Sequence, residues 1–312
     1  MGNKEIRIAT RGSKLAVYQA ERVRKQIEQN FPGIKTTIKI IHTRGDRILD
    51  ISLSKIGDKG FFTKELENAL IFGQADIAVH SLKDLPTEIC SGLAIGGVLE
   101  RGEVRDALVG NQDITLKKLS SGLRIGTSSL RRIAQLKMKF PGIEIIDIRG
   151  NVDTRIRKMK EGVCDAMVMA AAGLQRLGLD EYIRDILDPS VMIPAVSQGA
   201  IAMQIREDDD FTKEIISGVN HRLTYICTQA ERTFLRQLEG GCQIPIGCFS
   251  SVCNGEITLS GFVSDIQGSN AILLSKSGPL ARSEEVAYGL ATDYLEAGAG
   301  QIIEQIKQDS YG

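Results

Sequence analysis

Two periodicities take turns along this chain. Residues 6–10 carry the short apolar run of a strand, and residues 13–30 repeat apolar positions every three or four places, as an amphipathic helix does. A strand pattern returns at 36–43, a helical one at 62–72 and a strand at 76–80. After Val104-Arg105 the pattern restarts, with strand 123–127, helix 129–139, strand 143–148, helix 152–161 and strand 165–169. Strands that alternate with helices are expected to pair in parallel and to be covered on both faces, because each crossover lays a helix on the sheet. Beyond about residue 223 the order changes to a helix at 225–238, strands at 249–252, 257–263 and 271–275, and one helix over 283–307. The expected class is α/β, two doubly wound lobes followed by a small C-terminal α+β domain. Breaks near 100–105, 190–200 and 218–222 put the first lobe at 1–100 with 200–218. They put the second lobe at 105–193 and the C-terminal domain at 222–312.

The two lobes repeat each other. Ile8-Ala9-Thr10-Arg11-Gly12-Ser13 parallels Ile125-Gly126-Thr127-Ser128-Ser129, and Asp76-Ile77-Ala78-Val79 parallels Asp165-Ala166-Met167-Val168. Each first strand runs into a hydroxyl-rich turn that opens a helix. Two such lobes facing across a cleft would form an anion clamp, since helix N-termini carry unpaired N–H groups and a positive dipole end. Ser13 and Ser129 read equally well as helix N-caps and as ligand donors. Arg11, Arg131, Arg132, Arg149, Arg155 and Arg176 are expected at strand exits or in first helical turns. Each offers a planar fork for carboxylate or phosphate and stays charged at working pH. Neither a Walker sequence nor Gly-x-Gly-x-x-Gly follows a strand, which disfavours nucleotides. Six forks fit a ligand with many carboxylates.

Composition narrows the classes. The 312 residues are 42% apolar and 25% charged with zero net charge, so a general nucleic-acid or membrane-surface role is not expected. No apolar run reaches membrane-spanning length, and the N-terminal residues show neither a signal-peptide core nor a myristoylation signal, so the cytosol is expected. Six cysteines without a Cys-x-x-Cys pair and three scattered histidines argue against zinc and against a disulfide framework. Nothing suggests a repeated interface, and a monomer is expected.

Two positions carry candidate chemistry. Cys242 lies in Glu239-Gly240-Gly241-Cys242-Gln243-Ile244-Pro245, where glycines end a helix and leave the sulfur open to a bulky partner. Taken alone, it reads as readily as a small buried apolar residue. Asp84, in His80-Ser81-Leu82-Lys83-Asp84-Leu85-Pro86, follows a strand end, the place where doubly wound folds hold ligands. It is either one half of an ordinary turn pair with Lys83 or a carboxylate that stabilises positive charge on a reacting ligand. The little-patterned segment 43–60 is expected to form a lid, with Lys55 and Phe62 near the substrate.

Four segments together resemble the hydroxymethylbilane synthase (porphobilinogen deaminase) family. They are Val79-His80-Ser81-Leu82-Lys83-Asp84-Leu85-Pro86, Gly126-Thr127-Ser128-Ser129-Leu130-Arg131-Arg132, Arg149-Gly150-Asn151-Val152-Asp153-Thr154-Arg155 and the Cys242 segment, in the family's order and spacing from about Ile6 onward. The resemblance implies lobes like those of periplasmic binding proteins. It also implies a dipyrromethane cofactor, built from substrate and tethered by a thioether to Cys242. Four porphobilinogens are then joined head to tail with loss of ammonia, and the linear tetrapyrrole is released by hydrolysis. Ser81, Lys83, Thr127, Ser129, Arg131, Arg132 and Arg155 match cofactor-holding positions. Arg11, Ser13, Arg149 and Arg176 match positions serving the incoming substrate, and Asp84 matches the catalytic carboxylate.

Some positions depart from the family's usual pattern. Arg101-Gly102-Glu103-Val104-Arg105-Asp106 lacks the usual acidic residue and proline between its arginines, and Gly102 and Val104 are expected to slacken it. Asp58, Phe61 and Ser197 also replace commoner residues, Ser197 a smaller one. Two other classes compete. A polyanion-binding protein explains the arginines and the repeat but not a cysteine set among glycines. A cysteine hydrolase lacks a histidine in a base-pairing motif.

Overall fold

The computed structural model describes residues 5–43, 63–111, 114–238 and 244–311. The chain runs β1 (Glu5–Thr10), α1 (Lys14–Asn30), β2 (Lys35–Ile40), α2 (Lys64–Ile71), β3 (Ile77–Ser81) and β4 (Leu93–Val98). It continues through β5 (Asp106–Gly110), β6 (Arg124–Gly126), α3 (Leu130–Lys139), β7 (Glu144–Ile146), α4 (Val152–Lys160), β8 (Ala166–Ala170), α5 (Ala171–Arg176) and β9 (Ile183–Ile186). The last part holds β10 (Ile201–Arg206), α6 (Asp210–Ser217), α7 (Arg222–Gln237), β11 (Ile246–Cys253), β12 (Glu256–Val263), β13 (Ser275–Pro279), α8 (Ser283–Glu296) and α9 (Ala299–Tyr311). Two compact units result, Met1–Gly102 with Gly199–Ile226 and Glu103–Gln198 with Cys227–Gly312.

Each unit carries a five-stranded sheet, in the orders β2-β1-β3-β10-β4 and β7-β6-β8-β5-β9, and the second also holds the three-stranded sheet β11-β12-β13. The sheets are mixed rather than parallel as expected. β10 runs antiparallel to β3 and β4, and β5 runs antiparallel to β8 and β9. These are the first strands after the chain passes into the second unit at 103 and back into the first at 199, and each lies between a strand of the βαβ crossovers and an edge strand.

The internal repeat is visible in one ion pair per unit. Arg7 gives its backbone N–H and Nε to Asp76 Oδ2, at 2.8 and 3.0 Å, and its Nη2 to Oδ1 at 2.7 Å. Arg124 makes the same three bonds to Asp165, at 2.9, 3.4 and 2.6 Å. Burial alone would raise the Asp76 carboxyl, but hydrogen bonds from Arg7 and Arg206 outweigh it and hold the group below its ordinary range. In both units the pair locks the start of the first strand to the residue preceding the third, and so sets their parallel register.

Three other expectations change. The single helix expected over 283–307 is two, because Gly298 takes φ +96° after α8 and the Ala297 and Gly298 N–H groups close the helix end on Asp293 and Leu295. The strand expected at 271–275 forms instead at Ser275–Pro279, and the earlier run keeps only an isolated bridge between Ile272 and Val263. Its sequence, Ser-Lys-Ser-Gly-Pro, has no apolar alternation by which to find it. The segment expected to be slack is also well tied. Gly102 N–H donates to Gly199 O, and Glu103 accepts from the Arg105 backbone and guanidinium. Gln198 Nε2 donates to Val104 O at 2.8 Å.

The C-terminal sheet and its helices share a core around Phe234, Ile257, Leu259, Leu290 and Tyr294, with Phe234 and Tyr294 meeting edge to face at 5.1 Å. Fully buried Glu231 on α7 accepts from Ser197 N at 2.7 Å and from Ser250 N and Oγ at 2.8 and 2.6 Å. It binds the chain before Gln198 to β11. Gly268, at φ +76°, lies against α3, where a Cβ would come within 2.3 Å of the Ala134 carbonyl oxygen, so only glycine fits.

Ser197 is a local misfit. Its backbone sits at φ +60° and its buried Oγ has no hydrogen-bond partner. The left-handed conformation costs roughly 1–2 kcal/mol for a residue with a Cβ, and a buried unpaired hydroxyl costs about as much again. Glycine's larger unfolded-state entropy returns roughly 0.4–1 kcal/mol of that. Ser197→Gly is therefore expected to stabilise the protein by about 1–3 kcal/mol, read as a higher denaturant midpoint at unchanged slope.

Candidate functional site

In the first unit the site grows from the end of β3. Leu82, fully buried, pins a single 3-10 turn (Leu82–Asp84) by donating its N–H to Ala200 O, and the Leu85 N–H closes the turn on Leu82 O. With Leu82 anchored, Lys83 is half-buried and Asp84 is exposed. Ser81 is held by Gln19, whose Nε2 donates to Ser81 Oγ at 2.8 Å. Gln19 is a buried polar residue on the inner face of α1, and sequence reasoning missed it. The available signal was an amide among Ala20, Val23 and Ile27 on that face. Ser13 caps α1, its Oγ accepting from Ala16 N at 3.3 Å. Arg11 at the end of β1 is half-buried.

His80, just before Ser81, is buried and lies 3.0 Å through Nε2 from Gln204 Oε1, while Gln204 Nε2 donates to Glu67 Oε1 at 3.1 Å. Because the Gln204 amide faces Glu67 with its donor, it presents its oxygen to the imidazole, which places the proton on Nε2. Burial pushes the His80 pKa down to about 4, with Arg11 adding to the effect and Gln204 opposing it. The strand exit is thus built around a neutral histidine.

In the second unit β6 leads through Thr127, Ser128 and Ser129 into α3. Thr127 is buried, and its Oγ1 accepts from Ser129 N at 3.2 Å. Ser129 is the N-cap residue of α3 but makes no side-chain cap bond, and α3 has no acidic residue in its first turn. Asn151 likewise leaves the N-terminus of α4 without a side-chain cap. Arg155, in the first turn of α4, donates Nε to Gly150 O at 2.8 Å, and Arg149 donates Nε to Asp147 at 3.1 Å. Gly150 holds φ +118°, and a Cβ there would meet Thr154 at 2.7 Å. Arg176 departs from its expected place: it is the last residue of α5, because that helix spans six residues and stops before Gly178 at φ +66°.

Arg131 and Arg132 are not simple open forks. Both are buried and share one carboxylate, Asp106, which is fully buried. Arg131 Nη1 donates to Oδ2 at 2.8 Å, and Arg132 donates Nε and Nη2 to Oδ1 at 3.0 and 2.7 Å. Removing one partner of such a buried pair typically costs about 3–5 kcal/mol. Sequence reasoning missed Asp106 as a site residue, since nothing in its local pattern links it to arginines 25 and 26 positions on.

Cys242, Lys55, Phe62 and nearly all of segment 43–60 lie outside the described residues. Of the other cysteines, Cys164, Cys227 and Cys248 are buried and Cys90 and Cys253 exposed. Burial raises the Cys164 thiol pKa above its ordinary value, and neighbouring Asp165 adds to this.

A family model described as "Porphobilinogen deaminase, dipyromethane cofactor binding domain" matches residues 6–214, and one described as "Porphobilinogen deaminase, C-terminal domain" matches residues 225–296. The chain belongs to the porphobilinogen deaminase family. Among curated relatives, the porphobilinogen deaminase of Syntrophomonas wolfei is 45% identical over 96% of this chain and 98% of its own. That of Prochlorococcus marinus strain MIT 9515 is 46% identical over 98% of each. A solved structure, the periplasmic VFT2 domain of Bordetella pertussis BvgS, is similar at 15% identity and a TM-score of 0.42, over 73% of this chain and 90% of that one. No described helix is long and apolar enough to cross a membrane.

The family's cofactor carries several carboxylates and pyrrole N–H groups, and the residues present suit both. In the second unit, the N-termini of α3 and α4, which have no side-chain cap, and the Ser129 hydroxyl suit carboxylates; in the first unit, by itself, exposed Asp84 suits a pyrrole N–H.

His80 makes stability depend on pH. Neutral in the folded chain down to about pH 4 and protonated below about 6.5 when unfolded, it binds more protons in the unfolded state between those values. Its contribution is full above pH 6.5 and falls as pH drops towards 4, by up to roughly 3 kcal/mol. Denaturant titrations from pH 7 to 4 should show that fall in wild type and a shallower one in His80→Gln.

Proposed function

We propose that this chain is a hydroxymethylbilane synthase, a transferase that joins four porphobilinogens head to tail, releases four ammonia, and frees the linear tetrapyrrole by hydrolysis. The observation that carries this reading is the match of both porphobilinogen deaminase models, in order, along nearly the whole chain. When bound, the dipyrromethane supplies the free pyrrole α-carbon to which the first porphobilinogen is joined. Ser81, Lys83, Thr127, Ser129, Arg131, Arg132 and Arg155 hold it, and Cys242 tethers it through a thioether. The tether keeps the growing polymer from diffusing away.

Arg11, Ser13, Arg149 and Arg176, with Lys55 and Phe62, receive the incoming porphobilinogen by its acetate and propionate. Asp84 accepts a pyrrole N–H and stabilises the positive charge that develops as ammonia leaves and as the new bond forms. Its exposed position on a turn anchored by Leu82 supports that role, since an anchored backbone presents the carboxylate with less reorganisation when the charge appears. Three domains divide the work, at 1–100 with 200–218, 105–193 and 222–312. The protein acts in the cytosol as a monomer, without nucleic acid or membrane.

Two measurements test the reading. Intact-mass analysis should find the protein heavier than its sequence by two pyrrole units, with the adduct on the Cys242 peptide, whereas Cys242→Ser should run unmodified and inactive. Unmodified wild type that still forms tetrapyrrole would defeat the assignment. Asp84→Asn, isosteric but uncharged, should keep fold and adduct while losing about 10²–10³-fold in turnover. Near-normal turnover in that variant would remove Asp84 from its role.

A further inference from the structure

Four buried polar side chains meet where the chain enters the second unit. Asp106 and Gln198 are fully buried, and Arg131 and Arg132 are 5% and 6% exposed. Asp106 gives Oδ2 to Arg131 and Oδ1 to Arg132, and Oδ1 also accepts from Gln198 Nε2 at 3.1 Å. The same Nε2 lies 2.8 Å from Val104 O. Backbone carbonyls take further guanidinium protons, Ile193 O from Arg131 and Val168 O from Arg132.

Hydrogen bonding in this knot is rich, but its charge does not balance. Two guanidinium groups face one carboxylate, and the fourth member is a neutral amide. Burial pulls the Arg131 pKa down and Arg132 adds to this, while Asp106 pulls it back up. An arginine nonetheless stays protonated at working pH. One positive charge is therefore held in excess in a desolvated place, an arrangement that is costly unless a counter-charge arrives. Glutamate has nearly the size and shape of glutamine and would balance the count from position 198. The surplus lies beside the first turn of α3, which has no acidic residue and no side-chain cap.

We infer that Gln198 is a specificity-determining residue: as the neutral corner of this knot it leaves Arg131 and Arg132 one positive charge in surplus, and that surplus draws a ligand carboxylate to the N-terminus of α3. This rests on the reading that the site takes carboxylate-bearing pyrroles. Gln198 itself does not touch the ligand; it acts through the charge balance of the pair.

The test compares Gln198→Glu, which balances the charge, with Gln198→Met, which removes the amide hydrogen bonds and keeps the surplus. For each full-length variant, thermal melting reports the fold and intact mass reports occupancy by the two-pyrrole adduct, while calorimetry on the same chains carrying Cys242→Ser, which leaves them without adduct, reports binding of citrate as a pyrrole-free polycarboxylate probe. Gln198→Glu should melt no more than a few degrees away from wild type, carry adduct on under about a tenth of its molecules and bind citrate at least about tenfold more weakly. Gln198→Met should melt lower, yet keep adduct on most molecules and bind citrate within about threefold of wild type. The inference is overturned if folded Gln198→Glu matches wild type in adduct and citrate binding. It is equally overturned if Gln198→Met loses as much as Gln198→Glu, because the hydrogen bonds and not the charge would then matter. Where Gln198→Glu does not fold, Gln198→Met alone decides: adduct on most molecules with citrate binding within about threefold of wild type supports the inference, and loss of either overturns it. Wild type that carries no adduct and consumes no porphobilinogen would defeat the functional reading, and the citrate comparison would still judge Gln198.

Discussion

The Asp106 carboxylate is the constraint on which the second unit depends. It is the first residue of β5, the strand that enters antiparallel between β8 and β9, and its side chain faces α3 rather than solvent. Through Arg131 it reaches Ile193, through Arg132 it reaches Val168 on β8, and through Gln198 it reaches Val104. A single buried anion thus ties together the strand that opens the unit, the helix whose N-terminus offers donors, and the segment by which the chain leaves. Isolated charges do not survive in such a place, so each of these elements has to keep its position for the others to remain satisfied.

The duplicated arginine–aspartate pair plays a simpler part. Arg7–Asp76 and Arg124–Asp165 are partly exposed, and their worth lies in register more than in Coulomb energy, since solvent screens such pairs. By holding the first strand against the start of the third, each pair aligns two strand ends at one edge of its sheet. That edge is where Arg11, Ser81 and Asp84 appear in one unit and Thr127 and Ser129 in the other. Similar scaffolds then carry different loads: at α1 the N-cap serine bonds the helix backbone, while Ser129 at α3 and Asn151 at α4 make no side-chain cap bond.

Much of this was legible in the sequence because it is local. The βαβ crossovers, the hydroxyl turns after β1 and β6, the repeat of Asp76 and Asp165, and the turn bearing Lys83 and Asp84 all follow from neighbouring residues. What pattern could not reveal is set by partners far away in the chain. β5 and β10 look like any short apolar strand, and only the return of the chain makes them antiparallel. Arg131 and Arg132 look like ligand forks until Asp106 is brought beneath them, and Gln19 looks like a surface amide until β3 delivers Ser81. Gly298 shows the other kind of failure: a lone glycine inside a helical pattern is tolerable on propensity alone, at a cost of about 1 kcal/mol, yet here it takes φ +96° and closes α8.

Long-range ties also stand where the departures around the chain crossings remove a local constraint. Where a proline would fix one backbone angle at position 104, the chain instead fastens the Val104 carbonyl to Gln198, clamps Arg105 on Glu103 and pairs Gly102 with Gly199. Stiffness supplied by hydrogen bonds differs from stiffness supplied by a ring, because it depends on the partners staying in place. The bond that restrains Val104 comes from the same amide nitrogen that donates to Asp106. Any change in the charge balance around the arginine pair therefore acts on a side chain that also holds the crossing. In a chain with a proline at that position, the backbone angle and the arginine pair would be set independently; here they share one atom.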